Sequence, residues 1–343
     1  MLISDFDYDL PENLIAQAPL ERRESSRMLI VDRASGRLAD GYFYDFTDFA
    51  RRGDVVVLNN TRVFPARLFG RSETGARVEI FLVKETNERV WETLARPARR
   101  LKTGKKIVFG EKLSGEVLDK KDDGRVRVRF EADGDFDEIV DEIGSTPLPP
   151  YIKREDGSID ADRERYQTVF ARERGAIAAP TAGLHFTPEI LEKIKAGGAE
   201  IAEVTLHVGY GTFEPVRVDD LSRHSVMPEQ YEIGGAAAEL LNDAKADGRR
   251  IIAVGTTTTR ALETVMTKHG RFEAERESAN LTIIPGYRFK AVDALLTNFH
   301  LPQSSLLVLV STFAGHELIM KAYRHAVSKR YRFYSYGDCM LIV

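Results

Sequence analysis

The chain has one cysteine, Cys339, in 343 residues, so it has no intrachain disulfide and no cysteine-based zinc site. That usage fits a reducing compartment. No apolar run is longer than five residues, "LLVLV" (306–310) being one, whereas a bilayer-spanning helix needs about 20. The N-terminal stretch "MLISDFDYDLPE" is acidic and has no apolar core of a signal peptide. We therefore expect a cytoplasmic protein with no membrane partner. Positive charge is not in excess either: the net charge is −4, which excludes a general nucleic-acid polycation and confines any RNA contact to local patches. His-Glu-x-x-His is missing, as is any His-x-Glu with Cys-x-x-Cys, so no metal site is expected. Nucleotide fingerprints fail as well. "VGYGTF" (208–213) is followed by Glu214 where a dinucleotide motif has its third glycine, and there is no Walker lysine.

What is present divides into two textures. The length suits one core plus a second unit. Between about residues 66 and 148, short strand-like pieces follow one another: "RVEIFLV", "RVWETLA", "KKIVFG", "SGEVLD" and "RVRVRF". In the last, Arg125, Arg127 and Arg129 alternate with Val126, Val128 and Phe130, the period of a half-buried antiparallel strand. We read 66–148 as a small all-β domain inserted into a larger α/β domain of residues 1–65 and 149–343. "PLPPYIKR" (147–154), stiff with proline, is the return linker. In the larger part, "DVVVLNN" (54–60) and "RIIAVG" (250–255) read as buried strands, and so does "SLLVLV" (305–310). Thr187 caps a helix with Pro188 at its first position and Gly197 at its end. A final helix spans about 314–329, its apolar stripe including Ile319, Ala322, Tyr323 and Ala326.

Three loops poor in charge each place a histidine beside Gly, Thr or Pro: "APTAGLHFT" (179–187), "LHVGYGTF" (206–213) and "TNFHLPQSS" (297–305). Taken singly, each histidine reads as well as a satisfied buried polar contact; together, at strand ends, they read as a site. His269, His316 and His325 lie in polar helical stretches and are read as solvated. "VGTTTTRALE" (254–263) runs from a strand through four threonines into a helix, which is either an anion or ribose cradle or an over-supplied helix cap. Two runs carry RNA-contact chemistry. "RPARRLKTGKK" (96–106) gathers Arg96, Arg99, Arg100, Lys102, Lys105 and Lys106; "KRYRFYSYGD" (329–338) interleaves cations with aromatics. The plainer readings are a solvated edge for the first and a core strand for the second.

The runs "NNTRVFPARLFG", "RYQTVFA", "AAPTAGLHFT", "TLHVGYGTFEPVR", "AVGTTTTRALE", "PGYRFKAVDALLTNFHLP" and "YRFYSYGDCMLI" resemble the signature stretches of the S-adenosylmethionine:tRNA ribosyltransferase-isomerase family of queuosine biosynthesis, in order and over essentially the whole chain. The resemblance implies an α/β domain around a mixed six-stranded barrel, with an inserted all-β domain, and a monomer. It implies transfer of the ribosyl part of S-adenosylmethionine to 7-aminomethyl-7-deazaguanine in a tRNA anticodon, with isomerisation to epoxyqueuosine and loss of adenine and methionine. S-adenosylmethionine is then a consumed co-substrate, and no cofactor is needed. Two departures stand out. Where the family often has His-x-Met-His-x-Glu, this chain has "HSVMPEQYE" (224–232), with Pro228 in place of the second histidine. Asn280 stands nearest to where the family usually has an aspartate.

That reaction needs a base for the carbon beside the sulfonium and a partner for departing adenine, tasks suited to histidine. His185 and His300 are the acid/base candidates, with Glu229 as a carboxylate that acts as base or holds the cation. The candidates for binding substrate are Thr181, His207, Thr256, Thr257, Asp293 and Asn298. Arg62 and Arg260 are candidates for the methionine carboxylate or a tRNA phosphate. The 96–106 cations are the tRNA grip. The rivals are an RNA methyltransferase, disfavoured by the absent glycine-rich turn, and a non-catalytic RNA-binding module, disfavoured by the charge balance.

Overall fold

Val55–Asn59 is buried at all five positions, as a strand covered on both faces must be. It sits near the middle of a nine-stranded sheet in the computed structural model, which describes residues 1–121, 123–154, 160–213 and 216–343. Four strands there are mutually parallel, in the order Glu200–Leu206, Val55–Asn59, Ile251–Val254 and Ala294–Asn298. Glu229–Ile233 and Glu275–Ala279 extend one side as antiparallel strands. Cys339–Ile342, Arg27–Asp32 and Arg37–Tyr42 extend the other. Side chains alternate between the two faces. Val56, Leu58, Ile252, Val254, Ala294 and Leu296 join Phe43, Phe46, Phe186 and Ile190 in one core. Asn59 and Thr297 have the opposite parity, and Asn59 meets Thr257 of the helix Thr256–His269 on that second side.

This sheet belongs to a unit of Met1–Arg62, Pro150–Lys153 and Gln167–Val343. A second unit comprises Val63–Pro149 and Arg154–Tyr166, so it takes in a stretch beyond the proline linker that the sequence reading leaves with the larger part. The second unit holds a closed barrel of six strands: Val126–Ala132, Val90–Arg96, Arg77–Asn87, Arg67–Ser72, Lys106–Val108 and Leu113–Lys120. The chain is thus an α/β mix that does contain a six-stranded barrel. The expected mixed barrel in the larger part is corrected, however. Every pairing in the closed barrel is antiparallel, and its strands come from the inserted stretch. Nor is that unit all-β. Asp135 caps a helix, Phe136–Ile143, by accepting from the Glu138 amide. The alternation in "RVRVRF" is real: Val126, Val128 and Phe130 are buried, while Arg125 pairs with Glu92 and Asp123, and Arg127 pairs with Asp119.

One element differs in kind from its reading. "SLLVLV" is no strand; it opens the helix Ser305–Ala314. A run of five apolar residues fits a buried strand or a helix buried all round. Ser304 decides: its side chain accepts from the Leu307 amide at 3.2 Å and caps the helix. The capped helix Pro188–Ala196 is as expected, with Thr187 accepting from Ile190. The last helix is His316–Ser328, and Ile319, Ala322, Tyr323 and Ala326 face inward.

Candidate active site

In parallel sheets, sites gather beyond the carboxyl ends of the strands. Here those ends are stitched by side-chain amides. Asn59 donates to the Leu206 carbonyl at 2.9 Å and accepts from the Leu206 and Thr61 amides. Thr205 donates to Asn60 at 2.7 Å. His207, next along, meets Thr61 through Nδ1 at 2.8 Å. Its ring lies so close to Gly175 that a Cβ there would sit 2.7 Å away. Burial lowers the His207 pKa. The four threonines lie inside the helix Thr256–His269, not in a loop before it. Thr258 and Thr259 donate to the Val254 and Gly255 carbonyls one turn back, and Thr257 meets Asn59. Three of the four hydroxyls are thus engaged by the protein, yet none caps the helix, whose N-cap is Gly255 with no side-chain bond to the free amides. Thr256 and Thr257 are both buried at the helix start.

The strand Ala294–Asn298 sends two histidine contacts in opposite directions. His185 reaches Asn298 Oδ1 through Nε2 at 3.1 Å and Ser26 Oγ through Nδ1 at 2.9 Å. His300 reaches Thr297 Oγ1 through Nε2 at 2.8 Å. Thr297 and Asn298 are consecutive, so their side chains leave the strand on opposite faces. His185 packs beside Phe43 in the first core. His300 lies on the side of Tyr323, whose hydroxyl accepts from the His300 amide. Burial depresses both imidazoles, His185 to about 4 and His300 to about 3, so both are neutral near pH 7. The two rings thus meet the strand end from opposite faces.

A recess on the second face brings together Glu229, Arg260, His224 and Ser305 against Met227 and Leu309. The recess is partly open to its surroundings. Arg260 Nη1 meets Glu229 Oε2 at 2.5 Å, and both side chains are more than nine-tenths buried. The Gly209 amide donates to Glu229 Oε1 at 2.8 Å. The Arg260 Nη2 group donates to the Ala279 and Met227 carbonyls, and Nε to that of Leu281. His224 Nε2 meets Ser305 Oγ at 3.1 Å, and burial lowers its pKa. Two residues selected separately, Glu229 and Arg260, are therefore one ion pair.

The remaining candidates lie apart from this recess. Asp293 precedes its strand and accepts from the Ile251 amide, at the amino ends of both strands. At about 3.3 Å per residue, that is roughly 16 Å from Asn298. Asp293 also faces Lys245 at 3.3 Å, so its place is at the opposite sheet edge from the site. Arg62 is exposed, and Thr181 opens the turn Thr181–His185, half-buried. In the second unit Arg96, Arg99, Lys102 and Lys106 are exposed and Lys105 is half-buried. None of these five is ion-paired among the described residues. The Arg100 side chain lies outside the described residues. The other RNA-contact run is corrected: Tyr331, Phe333, Tyr334 and Tyr336 are buried and offer no stacking surface. Among the described residues, no three His, Cys, Asp or Glu side chains cluster as metal ligands, and no single helix is long and apolar enough to cross a membrane.

A family model described as "Queuosine biosynthesis protein" matches residues 3–342. The chain belongs to that family. It is 50% identical to the S-adenosylmethionine:tRNA ribosyltransferase-isomerase of Syntrophotalea carbinolica and 51% identical to that of Staphylococcus saprophyticus, each over 100% of both chains. The relative from Desulfitobacterium hafniense, of the same name, is 48% identical, also over full length. The crystal structure of an S-adenosylmethionine tRNA ribosyltransferase from Thermotoga maritima shares 37% identity, with a TM-score of 0.56 over 99% of this chain and 100% of that one. The chain is thus an enzyme of the queuosine biosynthesis family.

For this family member the sequence reading leaves His224, Ser305 and Leu309 out of the site. His224 carries a visible signal, standing at the head of the departing run "HSVMPEQYE". Ser305 carries none, because its hydroxyl enters the recess only if 305–314 is a helix.

Proposed function

We propose that this enzyme transfers and isomerises the ribosyl part of S-adenosylmethionine onto 7-aminomethyl-7-deazaguanine at the wobble position of a tRNA. The product is epoxyqueuosine, and adenine and methionine leave. The observation that carries the reading is the buried Glu229–Arg260 pair lining a recess between charge-poor loops, in a chain about 50% identical to relatives of that name over full length.

The sulfonium charge acidifies the neighbouring 5′ carbon and later makes methionine a good leaving group. In this reading His300 takes the proton. Its ring is neutral, Thr297 fixes one nitrogen, and Nδ1 has no hydrogen-bond partner among the described residues. His185 has both nitrogens engaged and holds the strand end instead. The incoming amine must be neutral to attack, and loops poor in charge favour its uncharged form. Arg96, Arg99, Lys102, Lys105 and Lys106, without ion-pair partners among the described residues, hold tRNA backbone in the second unit.

A two-label assay tests the reaction. Purified protein is given tRNA carrying the 7-aminomethyl-7-deazaguanine base and S-adenosylmethionine labelled in the ribose or in the methyl group. Ribose label in the RNA, with free adenine and methyl-labelled methionine, is the expected result. Methyl label in the RNA would make the enzyme a methyltransferase and end the proposal.

A further inference from the structure

We infer that the recess at Glu229 and Arg260 is the subsite for the methionyl head of S-adenosylmethionine, its α-amino and α-carboxylate groups together. The inference rests on the reading that S-adenosylmethionine is the ribosyl donor, and it adds which end of that donor the recess takes.

The recess is walled by a positive and a negative side chain in direct contact. A lone anion drawn to Arg260 meets Glu229 beside it, and a lone cation drawn to Glu229 meets Arg260. Burial makes either mismatch costly. A zwitterion escapes both penalties. Its carboxylate lies toward the guanidinium and its ammonium toward the carboxylate, so the four charges alternate. The free α-amino acid end of S-adenosylmethionine has this pattern.

The hydrogen-bonding capacity supports the same occupant. A guanidinium has five N–H groups. In Arg260 the Nε proton and both Nη2 protons go to the backbone carbonyls of Leu281, Ala279 and Met227, and one Nη1 proton goes to Glu229. The second Nη1 proton has no acceptor among the described residues, on a residue only 7% exposed that lines the recess. A ligand carboxylate oxygen supplies it. His224 and Ser305, joined at 3.1 Å, provide a neutral polar wall that can donate or accept beside that carboxylate. Met227 and Leu309 provide the apolar wall for the methylenes leading to sulfur. The recess is partly open, so the chain leading to sulfur can leave it toward the rest of the donor.

The experiment is calorimetric titration with three probes: L-methionine, 3-(methylthio)propylamine, which lacks the carboxylate, and 5′-methylthioadenosine, which lacks the whole head. The wild-type enzyme should bind L-methionine at least tenfold more tightly than the amine. Leu309→Trp fills the recess and should abolish methionine binding while leaving 5′-methylthioadenosine binding within twofold. Because Leu309 is buried, Ser305→Leu at the half-buried helix start is the second filling variant, with the same expectation. Unchanged methionine binding in a folded filling variant overturns the inference, as does equal binding of methionine and the amine. The underlying reaction fails separately. If wild-type protein puts no ribose label into tRNA yet loses methionine binding in both variants, the subsite stands and the transfer falls. Ribose label with methionine binding indifferent to both variants does the reverse.

Discussion

Asn298 fixes the tautomer of His185. The Asn298 amide nitrogen donates to the Tyr334 and Ser335 carbonyls, at 2.9 and 3.4 Å, so its oxygen faces His185 Nε2. That nitrogen must carry the proton, which leaves Nδ1 as the acceptor of the neutral ring, 2.9 Å from a Ser26 hydroxyl whose one proton also has the Arg23 carbonyl within reach at 3.0 Å. Asn298→Asp would turn the donor into a second oxygen aimed at two carbonyls. We expect a loss of about 2–3 kcal/mol in urea unfolding, the range for leaving buried polar groups unmatched. A change under 0.5 kcal/mol would refute the tautomer assignment.

His300→Ala should lower kcat by about 10²–10⁴, the usual reach of a positioned acid–base group. His300→Gln restores a hydrogen bond to Thr297 but no proton-transfer capacity, and should not recover the rate. The kcat profile between pH 6 and 8 should show no ionisation from this ring, since burial holds it at about 3. Recovery in the glutamine variant would make His300 a structural residue.

The two buried histidines also predict acid sensitivity. In the unfolded chain their pKa is near 6.5, and in the folded protein it is about 4 for His185 and about 3 for His300. Between those limits the unfolded state binds more protons, so stability is full above 6.5 and falls as pH drops. Each contributes a slope of about 1.4 kcal/mol per pH unit in that window. Unfolding curves from pH 7 to 4 should be visibly less steep in pH for His300→Phe. An unaltered slope would mean that His300 is protonated or hydrated in the folded state.

Glu263 is fully buried, and its two oxygens accept from the Lys290, Ala291 and Val292 amides and the Tyr287 hydroxyl. It shapes the run 287–292 from the helix opposite. Glu263→Gln puts an N–H against at least one of those donors. We expect about 2–3 kcal/mol of destabilisation, as for other broken buried networks, and raised hydrogen exchange confined first to 287–292. Uniform exchange across the sheet would argue against a local anchor.

In the barrel unit, Arg99→Glu with Lys102→Glu should weaken tRNA binding and reduce its salt slope by about two contacts' worth. Arg127→Gln, which only releases Asp119, is the control and should leave the slope alone. Filter binding from 50 to 300 mM salt reads both.

The barrel strands were legible because alternation and ionic pairing sit on neighbouring residues, as in Arg125, Arg127 and their carboxylate partners. The Thr187 cap was legible for the same reason, being local. "SLLVLV" was not, since its periodicity is silent and only the Ser304 hydroxyl breaks the tie. Glu229 and Arg260 are each conspicuous, but a contact across 31 residues depends on the sheet order. Asp293 was misplaced because "DALLTN" was not recognised as a strand, and an acid at a strand's amino end stands opposite the site.

The placement of Thr297 and Asn298 on opposite faces has a consequence for how this enzyme tolerates change. His185 and His300 are told apart by odd and even positions along five residues of backbone. Losing a single residue from Ala294–Asn298 would swap those positions. The amide that belongs in the core would be turned toward the helices, and the threonine would face Phe43. Length in this segment is therefore under a stricter constraint than residue identity. A shortened strand should be inactive even with every reacting side chain retained.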